Sequence, residues 1–336
     1  MEKAQPFSSI AVIGGGAWGT ALANLCAHNG IDTVLWARET SVAEAIADSH
    51  ENTEFLAGVS LSPKLGATSD LAVAGKREAF IFAVPVQFSR PVLADLATHA
   101  AKDAPIALCA KGVERGAGLL MTDILSQVWP GARPAVLSGP SFARDVAMGL
   151  PTAVTLAAAD AALGERWVAS VGAPHFRPYL SDDLVGAELG GAVKNVLAIA
   201  AGAVAGRNLG ESARAALIAR GFAEFQRLGV ALGAKPQTMA GLSGLGDLIL
   251  TASSPQSRNM SLGLELGKGR SLEDVLGERN TVSEGVASAE AVTALAHQAG
   301  IEMPICAAVA KLVRGEQTID QIIADLLARP FKTEAK

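Results

Sequence analysis

Near its start the chain reads Ile10-Ala-Val-Ile-Gly14-Gly-Gly16-Ala17-Trp18-Gly19-Thr-Ala-Leu-Ala, an apolar run that meets three glycines and then a stretch of helix formers. A strand ending at Gly14 can turn sharply, Gly16 leaves the backbone open to close approach, and Gly19 lets the following helix lie tight against the sheet. The helix N-terminus then presents unpaired N–H groups, which favour an anion. Strand, glycine turn and helix in this order predict a parallel α/β sheet with the pyrophosphate of a dinucleotide at the turn, held by Gly14, Gly16 and Gly19.

A second strand is expected over Ile31 to Arg38, and its end bears on which dinucleotide binds. An acid there suits the ribose 2′-hydroxyl of NAD, whereas an arginine accommodates the 2′-phosphate of NADP. Here Arg38 precedes Glu39. This order leans toward NADP, with use of both cofactors open and a solvated strand-end arginine as the plain alternative.

The chain's 336 residues, half of them hydrophobic, suffice to bury about three quarters of the unfolded surface and favour two domains. A net charge of −5 supplies no basic field for nucleic acid, and no such partner is expected. Cys26, Cys109 and Cys306 stand singly without metal spacing, as buried thiols of a reducing cytoplasm do, and the five histidines form no ligand pair. Neither disulfide nor metal is expected. No secretion signal is expected, because the apolar run at Ile10 breaks at once into glycines. The most membrane-like stretch, Val196 to Gly206, is shorter than the roughly 20 residues of a spanning helix and reads as a buried one.

Further strands are expected at Ala79 to Val84, Ile106 to Ala110, Ala135 to Leu137, Ala153 to Ala157 and Phe176 to Leu180, alternating with helix-forming stretches. After about Asp183 the pattern is helical: Leu184 to Gly206, Ala213 to Leu232, Leu262 to Leu266, Ala287 to Gly300 and Ala307 to Leu327. The expected architecture is an α/β chain with an N-terminal Rossmann-like doubly wound domain, residues 1–190, followed by an all-α C-terminal domain, residues 191–336.

Chemistry must come from groups beyond the nucleotide turn. In Glu188-Leu-Gly-Gly-Ala-Val-Lys194-Asn195-Val a lysine interrupts an apolar helical run, where an uncompensated charge is costly; small neighbours leave room for a ligand. A pair with Glu188 is the structural alternative, although a six-residue offset suits helical neighbours poorly. Gly241-Leu-Ser-Gly-Leu-Gly-Asp247 places an acid in a glycine-rich turn, and Thr251-Ala-Ser-Ser-Pro-Gln-Ser257-Arg258-Asn259 gathers donors at a loop or helix start. Together these suit an anionic substrate, Arg258 matching a phosphate with its planar fork; a capped surface helix explains the last motif equally well. Cys109-Ala-Lys111 and Leu137-Ser-Gly139-Pro-Ser141-Phe-Ala143 follow two expected strands, where ligand loops belong, unless Lys111 is merely solvated and Gly139-Pro140 merely a turn.

In order and spacing, Gly14 to Ala21, Ala110-Lys111-Gly112, Ser138 to Ala143, Glu188 to Asn195, Gly241 to Asp247, Ser257-Arg258-Asn259 and Val282-Ser-Glu284-Gly285 together resemble the bacterial NAD(P)-dependent glycerol-3-phosphate dehydrogenases across nearly the whole chain. The resemblance implies reversible reduction of dihydroxyacetone phosphate to sn-glycerol 3-phosphate by NADH or NADPH, in supply of glycerophospholipid synthesis, in the cytoplasm. It implies Lys194 as the proton-transfer residue with Asp247 beside it in catalysis, and Lys111, Gly139, Ser141, Lys194, Asp247, Ser257, Arg258 and Asn259 as substrate contacts. Ala17, Trp18, Arg38, Lys111, Ala143, Arg258, Val282 and Glu284 are the implied cofactor contacts beside the glycines. Two positions depart from the pattern: Ala17 stands where the family often has serine, and Ala252 where cysteine is frequent. A homodimer is among the open assemblies. The rival readings are a β-hydroxyacid dehydrogenase of related architecture and an NAD(P)-binding redox sensor without turnover.

Overall fold

The computed structural model describes residues 4–278 and 284–330. It divides into two compact units, Met1–Gly191 with Gly233–Asp247, and Ala192–Leu232 with Leu248–Lys336. Where the sequence reading draws one break after residue 190, the chain crosses between units at 191/192, 232/233 and 247/248.

The first unit is built on an eight-stranded sheet: β1 Ser9–Ile13, β2 Asp32–Trp36, β3 Gly66–Thr68, β4 Ala79–Phe82, β5 Pro105–Leu108, β6 Arg133–Ser138, β7 Thr152–Ala157 and β8 Phe176–Ser181. Their spatial order is 3-2-1-4-5-6-7-8, so the winding reverses beside β1, at the crevice where doubly wound sheets take ligands. The expected parallel sheet holds through β6, but β7 runs antiparallel to β6 before β8 pairs parallel with β7. β3 was not expected, because three residues carry too little periodicity to stand out.

The connecting helices are α1 Ala17–His28, α2 Thr40–Ser49, α3 Leu71–Ala74, α4 Val86–His99, α5 Met121–Val128, α6 Ala143–Ala147 and α7 Ala161–Val171. Alternation along each strand serves both sheet faces. Ile10 and Val12 join Leu22, Leu25, Val146 and Trp167 in one core under α1, α6 and α7, while Ala11 and Ile13 join Leu93, Leu96, Ile124 and Leu125 in the other under α4 and α5.

Next comes α8, Leu184–Gly206, which begins in the first unit and ends in the second, followed by α9 Glu211–Ala231, α10 Pro236–Ala240, a π-helical turn Leu242–Gly246, α11 Asp247–Ser253 and α12 Arg258–Gly267. α13 Leu272–Gly277, α14 Glu284–Gln298, α15 Pro304–Val313 and α16 Ile319–Leu327 complete the second unit. The single helical stretch expected over Ala307 to Leu327 is two helices, because Gly315 turns left-handed (φ 69°) and Thr318 caps a new start. The membrane-like stretch Val196 to Gly206 is the end of α8, whose 23 residues exceed that stretch and are long and apolar enough to span a bilayer; 89% of its apolar window is buried within the protein, in line with the expected buried helix.

Within the second unit α8 and α12 meet backbone to backbone. A Cβ on Gly202 would fall 2.1 Å from the Met260 carbonyl oxygen, and one on Gly263 would fall 2.0 Å from that of Ile199. Gly206 and Gly267 repeat the contact one turn on, so two G-x-x-x-G stripes face each other and draw the start of α12 against α8.

Candidate active site

The glycine turn has the shape its sequence requires. Gly14 adopts φ 122° and its N–H donates to Trp36 O at 3.0 Å, while a Cβ on Gly19 would lie 2.0 Å from the Gly14 carbonyl oxygen. α1 starts from Gly16 in extended conformation, with no side-chain cap and no acid in its first turn. A Cβ at Gly16 would meet nothing within 4 Å, so first-turn N–H groups are left to an incoming anion. A dinucleotide pyrophosphate fits this end. Ala17 and Trp18, half-buried, form the first positions of α1, and Ala143 opens α6. At the end of β2 the exposed Arg38 guanidinium donates to Glu39 Oε1 at 2.9 Å.

The loops after β5 and β6 come together over Asp247. Lys111 Nζ donates to Asp247 Oδ2 at 2.8 Å and to the Gly139 carbonyl at 3.3 Å, and the Ser141 hydroxyl donates to the same carbonyl. Asp247 is wholly buried and the Lys111 side chain 15% exposed, so the solvated alternative for Lys111 does not hold. The glycine-rich segment before Asp247 is π-helical rather than an open turn, a geometry often found at functional positions.

Space around the small residues of α8 is filled by protein, against expectation. A Cβ on Gly190 would strike the Ser243 carbonyl oxygen at 2.2 Å, and one on Gly191 would strike the Lys111 stem at 2.7 Å. These glycines let Lys111 and the π-turn seat on α8. Glu188 accepts from the Thr122 N–H at 2.9 Å and its hydroxyl at 2.7 Å, at the start of α5, which sets aside a Glu188 partner for Lys194. Burial pushes the Glu188 carboxyl up to about 7.

In the second unit Lys194 is buried at 9% exposure and donates to Thr251 Oγ1 at 2.9 Å. Ser257 caps α12, its hydroxyl accepting from Met260 N at 3.2 Å, yet it is buried at 4%, so this is no surface helix. Arg258 stands exposed at the first helical position. Asn259 accepts from Gly285 N at 3.1 Å, in the first turn of α14, and donates to Asn195 Oδ1 at 2.9 Å. Glu284 begins α14; Val282 lies outside the described residues.

Two groups escaped the sequence reading. Asn195 Nδ2 is buried with no partner among the described residues, its amide held by Asn259 so that the donors are left unused. An orphaned buried donor calls for a function; the sequence shows Asn195 beside Lys194 but not which way its amide faces. Thr251 lies in a quoted motif, but only the fold brings it to Lys194, 57 positions away.

Two family models match the chain, described as the N-terminus and the C-terminus of NAD-dependent glycerol-3-phosphate dehydrogenase, over residues 9–164 and 183–324. The chain is 56% identical over 328 residues to glycerol-3-phosphate dehydrogenase (NAD(P)+) of Parvibaculum lavamentivorans, covering 98% of each. It is 57% identical over 331 residues to that of Rhodospirillum rubrum, covering 98% of this chain and 95% of the relative. Among solved structures, glycerol-3-phosphate dehydrogenase from Coxiella burnetii superposes with a TM-score of 0.92 at 35% identity, covering 96% of this chain and 99% of that one. A ketopantoate reductase from Ralstonia eutropha shares the fold alone, with a TM-score of 0.60 at 19% identity.

Proposed function

The chain belongs to the NAD-dependent glycerol-3-phosphate dehydrogenase family, and from that premise we propose that Lys194 is the proton-transfer residue of its reaction. The activity is reversible reduction of dihydroxyacetone phosphate to sn-glycerol 3-phosphate with NADH or NADPH. Held at the turn of Gly14, Gly16 and Gly19, a nicotinamide cofactor would supply the hydride chemistry of both directions. Lys194 stabilises the charge that grows on the carbonyl oxygen, gives it a proton, and acts as base in the opposite direction. The Thr251 hydroxyl takes one Lys194 N–H and so orients the amine.

Asp247 holds Lys111 by a buried ion pair and so fixes the ammonium that meets the substrate beside Gly139 and Ser141. Arg258 grips the phosphate; Ser257 shapes the first turn of α12, and Asn259 orients Asn195, whose free amide donors are offered to the same anion. Gly14, Gly16, Ala17, Trp18 and Gly19 form the cofactor turn; Arg38, Lys111, Ala143, Arg258 and Glu284 supply its other contacts. A place in the cytoplasm and a role in glycerophospholipid supply belong to the same reading, supported by three buried free thiols and by the chemistry of the product.

The observation that carries this reading is a buried amine hydrogen-bonded to a hydroxyl, in the same compact unit as an Arg-bearing helix start. Loss of NADPH absorbance on adding dihydroxyacetone phosphate tests it. Absence of turnover with either NADH or NADPH, or preference for a non-phosphorylated hydroxyacid pair, defeats it.

A further inference from the structure

The Gly15 carbonyl at the centre of the glycine turn points into the protein rather than out of it. Asn52 Nδ2 donates to it at 2.8 Å from 37 positions along the chain, and donates equally to Thr20 Oγ1 at 2.8 Å. The Thr20 hydroxyl lies 3.4 Å from the same carbonyl. Asn52 and Thr20 are wholly buried. Asn52 Oδ1 accepts from Phe55 N at 3.0 Å, so the amide is bonded at both ends and its orientation is determined.

In a trans peptide the C=O and N–H point in opposite directions. An inward Gly15 carbonyl therefore turns the N–H of Gly16 outward, toward the open face where a Cβ would meet nothing. We propose that Asn52 is a positioning residue for the cofactor turn: it clamps the Gly15 carbonyl inward, so that the Gly16 N–H is aimed at the pyrophosphate before the cofactor arrives. This rests on the reading of the turn as the cofactor site. Since a glycine pair offers the peptide several orientations of similar energy, holding it in one lowers the cost of binding.

The loop that carries Asn52 has a second buried anchor, Ser62 N donating to Asn24 Oδ1 at 2.7 Å. Asn24→Ala loosens that loop without touching Gly15, and so separates positioning from mere support. Asn52→Asp keeps the size and the acceptor for Phe55 but sets an oxygen against the carbonyl. Losing the donor is expected to raise the Kd of NADH, NADPH and ADP-ribose by about tenfold, leaving adenosine binding, kcat at saturating cofactor and the KM for dihydroxyacetone phosphate unchanged. Thr20→Val is expected to give a smaller loss of the same kind, and decides the matter alone if Asn52→Asp does not fold.

Unaltered ADP-ribose affinity in whichever of these variants folds overturns the proposal. So does an equal loss in Asn24→Ala, or an equal loss for adenosine. Gly19→Ala, whose Cβ strikes the Gly14 carbonyl, provides the separate check on the site: if it binds NADH as the parent does, the turn is not the cofactor site and the proposal falls with that reading.

Discussion

Single side chains divide the reaction into separately measurable parts. If Lys194 moves the proton, Lys194→Ala lowers turnover by roughly 100- to 10,000-fold while NADH binding and the melting profile stay as in the parent; retained turnover rules the role out. Arg258→Lys keeps the charge but loses the planar fork, so the KM for dihydroxyacetone phosphate rises about ten- to hundredfold, more than the cofactor KM does. Two glutamates buried among the described residues carry a pH dependence of their own. Glu188 at the start of α5 and Glu224, which accepts from Ile305 N and Cys306 N at the start of α15, are each pushed up to about 7 by burial. Each folded-state value lies above the ordinary 4.5, so the native state holds the proton more tightly. Their stabilisation is full below about pH 4.5 and is lost as the pH rises through 7. Glu188→Gln with Glu224→Gln is expected to flatten the fall in stability across that window, on the order of 2 kcal/mol for each site. Urea titrations at pH 5 and pH 8 measure it, and an unchanged slope counts against both assignments. None of these partners was legible beforehand: the sequence marks Lys194 as a charge in an apolar helix and offers Glu188 as its companion, but Lys194 bonds Thr251, 57 positions away, and Glu188 bonds Thr122, 66 positions away.

Among the elements, the crossing of α8 and α12 does most to arrange the second unit's chemistry. Lys194 and Asn195 lie on the first helix, Arg258 and Asn259 open the second, and the facing glycines leave no space for a side chain. Gly263→Ala puts a methyl group 2.0 Å from the Ile199 carbonyl oxygen. That collision with backbone has no cheap relief, so the variant is expected to lose about 1–3 kcal/mol of stability and to raise the KM for dihydroxyacetone phosphate, because the Asn195–Asn259 bond is broken as α12 shifts. An unperturbed melting temperature and KM would show the crossing to be tolerant. Most long elements were readable from their periodicity, as were glycines at turns. β3 and the reversal at β7 were not, since neither three-residue length nor strand direction leaves a mark on alternation.

At the level of the whole molecule, continuity along the chain is a poor guide to compact units. Gly233–Asp247 returns to the first unit, where Lys235 N donates to Asp183 Oδ2 at 2.8 Å and the Ser243 carbonyl seats on Gly190. Residues 1–190 expressed alone therefore lack part of their own core support and the partner of Lys111, and are expected to melt without a sharp cooperative transition in calorimetry. A cooperative two-state melt of that fragment would refute this. What the order of residues settled is local: the nucleotide turn, which depends on glycines at fixed offsets, the change from alternating to helical pattern near residue 183, and the presence of a costly lysine in apolar surroundings. What waited for the folded molecule was every pairing over distance, such as Lys111 with Asp247, Lys194 with Thr251 and Asn52 with Gly15. Backbone conformation and amphipathic pattern act within a few residues and so leave a trace in the string of letters, whereas a hydrogen bond between positions far apart exists only once packing has decided which surfaces meet.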